Sequence, residues 1–550
     1  MKKVKAILFS LITLFVLGYI FFEAPNLNPL YAEGAMFYCA VVTIYVLVWA
    51  LLKFGTFTLQ SPENSGRAFN YVQERHFPKW VKVLLAAPWV FFVAMLIGSS
   101  VLFHWTTFRD QLGQAQITEF SSDVQPVDVS QLPIVDRKLA LKLADKKLGE
   151  RQSLGSQVVL GEPTIQRVDG KLIWAVPLHH SGIFKWLTNL QGTPGYIVVS
   201  ATNVKDVEYV DGKYVKYQTD SYLLNDVKRK IRMSGYLFEG LADYSFELDD
   251  SGQPYWVVST YRNQRGFSLP EATGVILLNA TTGEISRYHI GNVPEWVDRV
   301  QPEDFIINQI NNQGQYVHGI FNFSDKDKFR SSEGHMIVYN NDRCYLFTGL
   351  TSVGQDDSTI GYVMVDMVDK SVRRYVMNGA TENAAMSSAQ GKVQNLRYTA
   401  TFPLIINVGS EPTYFMTLKD DEGLIKQYAM VSVTDYSIVG TGETVPDAMR
   451  DYQQAMKNVG MRPNLSETDQ ALSITGTVLR IASEFNGTST EYKLILAEAK
   501  DMIYLVDASL SDELALTQPG DRVKIEYYQN PGSSTQAASG FDNLEFSQAA

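Results

Sequence analysis

Three apolar stretches fall at the start of this chain, Ala6–Phe22, Met36–Leu52 and Val83–Trp105, and no Lys, Arg, Asp or Glu interrupts any of them. Each approaches or exceeds the roughly 18–20 residues that cross the ~30 Å hydrocarbon core of a bilayer. Lipid offers the backbone no hydrogen-bond partner, so such segments must close their own bonds as helices. Everything after Trp105 is polar, acidic and strand-patterned. The expected architecture is therefore an α-helical membrane anchor of three transmembrane helices (about 6–22, 36–52 and 83–105, within 1–105), with one large body held on a single side.

The cations set the expected orientation. Lys2, Lys3 and Lys5 precede the first stretch, and the loop between the second and third carries Lys53, Arg67, Arg75, Lys79 and Lys82 against Glu63 and Glu74. The loop between the first and second holds only Glu23 and Glu33. Positive-inside bias puts the N-terminus in the cytoplasm and the body outside, as in a multi-pass protein of a bacterial plasma membrane. A cleaved signal peptide is the rival reading of the first stretch. Its apolar run is too long for that, and no clean small-x-small site follows.

Up to Trp105 there are 8 Lys+Arg against 4 Asp+Glu, which leaves 40 against 55 of the chain's 48 and 59 for the body. A domain that acidic has no electrostatic footprint for nucleic acid. It is also repelled by anionic headgroups and wall polymers unless metal ions bridge them. The two cysteines, Cys39 in the second stretch and Cys344 in the body, are too far apart in the expected layout to pair. The body must rely on apolar cores, for which it is long enough.

One pattern returns four times: Gly or Gln, an aromatic or Val, apolar residues, a small polar residue and a turn. It reads GYIVVSATN from Gly195, GVILLNATTGEI from Gly274, GYVMVDMVDKSV from Gly361 and QYAMVSVTDYSIV from Gln427. Upstream of each is a second apolar run with a central aromatic: Lys171–Leu178, Pro254–Tyr261, Arg343–Leu350 and Pro412–Lys419. Such runs, bounded by turn residues, are strands, and each couple is expected to pair antiparallel under a helix. The helices are expected in DRKLALKLADKKLG from Asp136 and in SYLLNDVKRKIRMSG from Ser221. This gives α+β exported repeats at 133–220, 221–300, 301–378 and 379–458, behind a stalk at 106–132.

The pattern resembles PepSY-type domains, small α+β modules of protease propeptides and membrane-anchored envelope proteins. The residues that carry the likeness are DGKLIWAVPL leading to GYIVVSATN, and SGQPYWVVSTY leading to TGVILLNATTGEISRY. Asn279 stands where the family has aspartate, and the third and fourth copies lack the turn glycine. The resemblance implies a binding or inhibitory module. The stretch 469–529 reads as a small all-β C-terminal barrel, similar in pattern to OB or SH3 barrels, with Pro519-Gly520-Asp521 turning into its last strand. The tail 530–550, rich in Ser, Gly, Gln and Ala, is expected to be disordered, and residues around Lys457–Thr468 to be a linker.

No HExxH, CxxC, GxSxG or phosphate-cradling loop occurs, so no catalytic residue, cofactor or metal site is assigned. Asp249-Asp250, Asp356-Asp357 and Asp420-Asp421-Glu422 read as hairpin turns. His179-His180 is the one adjacent histidine pair, and on a strand its rings point to opposite faces. With Phe184 and Trp186 it forms the candidate binding surface. The expected function is non-catalytic: binding, scaffolding or regulation of an envelope or integral membrane protein or a cell-wall component, with the lipid bilayer as the anchor's environment. Two alternatives stand beside it, a surface hydrolase using the His179/His180 region and an accessory subunit of a membrane transport or assembly complex.

Overall fold

The computed structural model describes residues 2–54, 78–124, 132–340, 343–354, 359–459, 472–485, 490–528 and 534–546. The basic loop expected between the second and third spans lies largely within 55–77, outside the described residues.

Helices α1 (Lys2–Glu23), α2 (Ala32–Phe54) and α3 (Lys79–Gly98) are long and apolar enough to cross a membrane, and their apolar side chains stand largely uncovered by protein. The chain leaves the third helix at Ser99 and Ser100, earlier than expected, and restarts as α4 (Val101–Asp110). Ser100 is extended, with ψ of 160°. Ser99 Oγ donates to the Met95 carbonyl (2.5 Å) and accepts the Phe267 amide (2.9 Å), so a hairpin tip of the body meets the chain where the helix stops.

The body contains four antiparallel meanders. Unit 1 is β1 (Thr164–Val168), β2 (Lys171–His180), β3 (Thr193–Ser200) and β4 (Val207–Val215). Unit 2 is β5 (Gly240–Leu248), β6 (Pro254–Arg265), β7 (Ser268–Asn279) and β8 (Ile285–His289). Unit 3 is β9 (Met336–Asn340), β10 (Arg343–Ser352), β11 (Thr359–Asp366) and β12 (Val372–Tyr375). Unit 4 is β13 (Leu404–Val408), β14 (Glu411–Lys419), β15 (Ile425–Ser432) and β16 (Val439–Gly442). Every strand couple read from the sequence is the central hairpin of one meander.

The recurring letters have common physical causes. A side chain at Gly195, Gly274 or Gly361 would strike the carbonyl of Val210, Tyr288 or Tyr375 on the next strand, and the latter two glycines have φ of +154° and +149°. In unit 4 the β15–β16 ladder stops at Tyr428 and Gly442, one residue short of Gln427. The small polar residues Ser200, Asn279, Asp366 and Ser432 each accept backbone amides two or three residues on, which closes the turn. The following residues, Ala201, Ala280, Met367 and Val433, are fully buried. Their amides bond back to the hairpin's first strand, and their carbonyls take amides from the segments leading into each unit: Ile134 and Val135, Lys216 and Tyr217, Val300 and Gln301, and Ala380. The central aromatic reaches the same segment. Trp174 donates to Val135, Trp256 to Tyr217 and Tyr414 to Ala380, each at 2.8 Å.

The units pack in two pairs. Units 1 and 2 share a core in which Ile173, Ala175 and Tyr196 face Phe246, Trp256 and Ile276, with Val227 and Ile231 of α7 (Val227–Ile231) between them. Units 3 and 4 share another, where Phe347, Tyr362 and Met364 face Tyr414 and Met416, with Ala385 and Ala389 of α9 (Glu382–Lys392) between them. The outer face of unit 1 is covered by α5 (Arg137–Gly149) and that of unit 3 by α8 (Glu303–Gln315), both 13 residues long. Helix α10 (Val445–Asn458) covers unit 4. A short helix, α6 (Ile183–Thr188), follows β2.

Two expectations need correction. Residues 106–124 are built into the body and do not form a stalk: Leu112 enters the unit 3 core, Gln116–Thr118 adds a parallel strand to β12, and Phe120 packs on Tyr375. Their apolar side chains make them a strap; residues 125–131 lie outside the described residues. The tail is likewise not all disordered. Thr535–Asn543 closes the barrel as β21, after β17 (Leu472–Phe485), β18 (Thr490–Leu496), β19 (Ala499–Asp507) and β20 (Arg522–Tyr528), in the order β17-β18-β19-β21-β20. Phe541 and Ala538 point into the barrel core, a cause that small-residue composition hides.

Candidate functional site

The first strand of the meander is interrupted at the same place in units 1, 3 and 4, and bulged there in unit 2. In unit 1, Val158–Leu160 pairs with the end of β2, and β1 resumes at Thr164. Units 3 and 4 repeat this with Phe329–Ser331 before β9 and Thr399–Ala400 before β13. In unit 2 the strand is continuous but bulged between Ala242 and Tyr244, and the bulged residue, Asp243, has φ of +49°. The three breaks and the bulge converge on one cavity of about 610 Å³, into which they bring Glu162, Asp243, His335 and Phe402.

The cavity is lined by both ionic groups and aromatic rings. Glu303, in the first turn of α8, receives Arg299 Nη1 at 2.8 Å and lies 3.0 Å from His335 Nε2. Burial alone would raise the Glu303 pKa, but the His335 hydrogen bond and the Arg299 charge hold it below the ordinary carboxylate value. Asp243 is hemmed in by the protein yet open to the cavity, and burial pushes its pKa up. Arg137 pairs with Glu162, and Asp136 with Lys419 at 2.5 Å. Trp174, Tyr244, Phe402 and Phe415 supply rings, and Ile165, Met336 and Leu404 fill between them. Behind this wall, Glu247 is fully buried beside Asp298, and burial pushes it up to about 8.

The residues singled out from the sequence do not line this cavity. His179 faces unit 2, with its ring 6.1 Å from Trp256, and burial pulls it down to about 4. Its neighbour His180 faces the other side of β2, as strand alternation requires. Neither Nε2 has a hydrogen-bond partner. Trp186 is buried against Tyr222, ring centroids 5.4 Å apart, while Phe184 is 79% exposed. Among the described residues no cluster of three His, Cys, Asp or Glu could hold a metal ion. The cavity residues themselves could have been suspected from Gly161-Glu162-Pro163 and Thr401-Phe402-Pro403, where a proline three residues after a short strand stops its ladder.

No family model matches the chain, and no curated protein matches it. Among solved structures, a B. megaterium levansucrase variant is similar at 9% identity, covering 75% of this chain and 96% of that one, with a TM-score of 0.17. An exo-beta-1,3-galactanase from Clostridium thermocellum follows at 11% identity, covering 69% and 72%, with a TM-score of 0.18. Scores that low establish no common fold.

Proposed function

We propose that this chain is a membrane-anchored extracytoplasmic binding protein of the bacterial envelope, non-catalytic, whose central cavity receives part of an envelope partner. The observation that carries this reading is the convergence of three strand breaks and one equivalent bulge on one cavity lined by every unit. A recess at the junction of modules is where ligand sites concentrate. The carboxylate of Asp243, set on a left-handed bulge in a cavity that aromatic residues also line, suits an amine or other cationic group with an apolar neighbour. The positive-inside bias of the N-terminal lysines supports placing the body outside the plasma membrane. Helix-plus-meander units agree with the PepSY-like reading, and a five-strand barrel with one parallel closure, between β19 and β21, agrees with an OB-like one.

The test is photocrosslinking in intact cells with benzoylphenylalanine at Phe402, and at Leu479 on the barrel as comparison. A discrete adduct at Phe402 that weakens with Asp243→Lys is the expected outcome. An adduct at Leu479 with none at Phe402 would move the recognition surface to the barrel and refute the cavity.

A further inference from the structure

The contacts between body and anchor come largely from unit 2 and its approach. Arg229 donates to the last carbonyls of α1, Phe21 (2.9 Å) and Phe22 (2.8 Å), where the helix end leaves them without amides. Leu27 donates to Leu237 (2.8 Å), Asn28 to Phe238 (3.0 Å), and Tyr31 to Tyr261 (2.7 Å). The β6–β7 hairpin tip sets Phe267 against Phe92 of α3, ring centroids 5.5 Å apart. The Phe267 amide stays at the helix end, on Ser99, so its ring turns back along α3 to reach Phe92, six residues before the last residue of that helix.

The same segment that grips α1 carries apolar side chains with nothing over them. Leu223, whose carbonyl accepts Arg229, is 49% exposed, Leu224 48% and Phe238 55%. Tyr222 joins this segment to α6 through Trp186, and α6 adds Phe184 and Leu187, both exposed. Between the leucines and Phe238 runs Val227–Arg232, with Lys228, Arg229 and Lys230 in sequence. Exposed Leu and Phe beside a run of cations, at the end of an apolar helix, is the composition of an interfacial membrane segment. The body's net acidity opposes contact with an anionic surface, and this local cationic run offsets it where the chain meets the helices.

We infer that the face of units 1 and 2 formed by α6 and residues 222–238 rests in the outer leaflet around α1 and α2, with its apolar side chains below the headgroups and its lysines among lipid phosphates. The occupant is the bilayer, because the patch is continuous with the contacts that hold the helix ends. This inference rests on α1–α3 spanning the membrane. It turns the body from a domain on a tether into one seated on the bilayer at a fixed tilt.

Site-directed spin labelling of the full chain in nanodiscs tests it, in a Cys39→Ala, Cys344→Ala background. Labels are placed singly through Phe184→Cys, Leu224→Cys and Phe238→Cys, with Leu14→Cys in α1 and Leu479→Cys on the barrel as references. Oxygen against water-soluble nickel relaxation should place the three labels about 5–10 Å below the phosphates. They should sit deeper in phosphatidylglycerol than in phosphatidylcholine, and Lys228→Glu with Lys230→Glu should remove that difference. Labels at 184, 224 and 238 as water-exposed as 479, with 14 in lipid, would overturn the inference alone. A label at 14 that is also water-exposed would overturn both it and the membrane anchor.

Discussion

Units 1 and 2 and units 3 and 4 repeat one hydrogen-bond frame and one packing scheme, yet they fill it with different polar groups. Around the first pair lie His179, pulled down to about 4, and Glu247, pushed up to about 8, each by burial. The core of the second pair is instead closed by tyrosines. Tyr362 and Tyr414 share a hydrogen bond of 2.6 Å, Tyr414 donates to Ala380, and Tyr375 reaches Asp123 of the strap at 2.5 Å. The frame is made of backbone amides and carbonyls, so side chains are free to diverge once it is satisfied. The pair that grips the helix ends buries His179 and Glu247, and the pair bound by the strap buries the Glu382 carboxyl of α9 near its tyrosines.

The comparison breaks most visibly at the aromatic that bonds to each lead-in segment. Trp256→Ala opens a cavity in the first pair and leaves the Tyr217 carbonyl without its indole donor. Its expected cost is about 3–5 kcal/mol, read as a lowered denaturation midpoint of the detergent-solubilised chain. Hydrogen exchange should rise across units 1 and 2 before units 3 and 4. Equal loosening of both pairs would show that they are one cooperative block.

The next effect depends on pH. Glu247 has a folded pKa near 8 against an ordinary 4.5, so its contribution is complete below 4.5 and is lost as pH rises through 8. Glu247→Gln should flatten that decline and gain about 2–4 kcal/mol over the parent at pH 8. No gain at pH 8 would mean that the carboxyl is already ionised at neutral pH. The smallest effect is expected from Tyr414→Phe, which removes one hydroxyl from the second pair and deprives Tyr362 and Ala380 of a partner. Its cost is about 1–2 kcal/mol, read as a lowered denaturation midpoint.

Much of the fold was legible because local rules governed it. The strand couples followed from two-residue alternation and turn residues, and their glycines, aromatics and small polar residues proved to occupy bulges, lead-in bonds and turn caps. The three long apolar helices were legible from length and apolarity. The end of α3 was not, since Ser99 and Ser100 follow an unbroken apolar run and a hairpin far along the chain meets the helix there. The strap and the barrel's closing strand escaped notice because a segment that pairs through its backbone with strands formed elsewhere needs little apolar signal of its own.

The site divides along the same line. Chain chemistry alone settled that His179 and His180 face apart, because strand geometry is local. It could not show that Glu162, Asp243, His335 and Phe402 meet, since they come from separate sheets at long sequence separation. Each marks a small fault in its own strand, and only the packing of two pairs against each other turns four faults into one cavity. Composition and periodicity thus determined the elements and the acidic body behind an apolar foot. Burial, the bulge at Asp243 and the lone carbonyls at the end of α1 acquire meaning only when distant segments are brought within hydrogen-bond range.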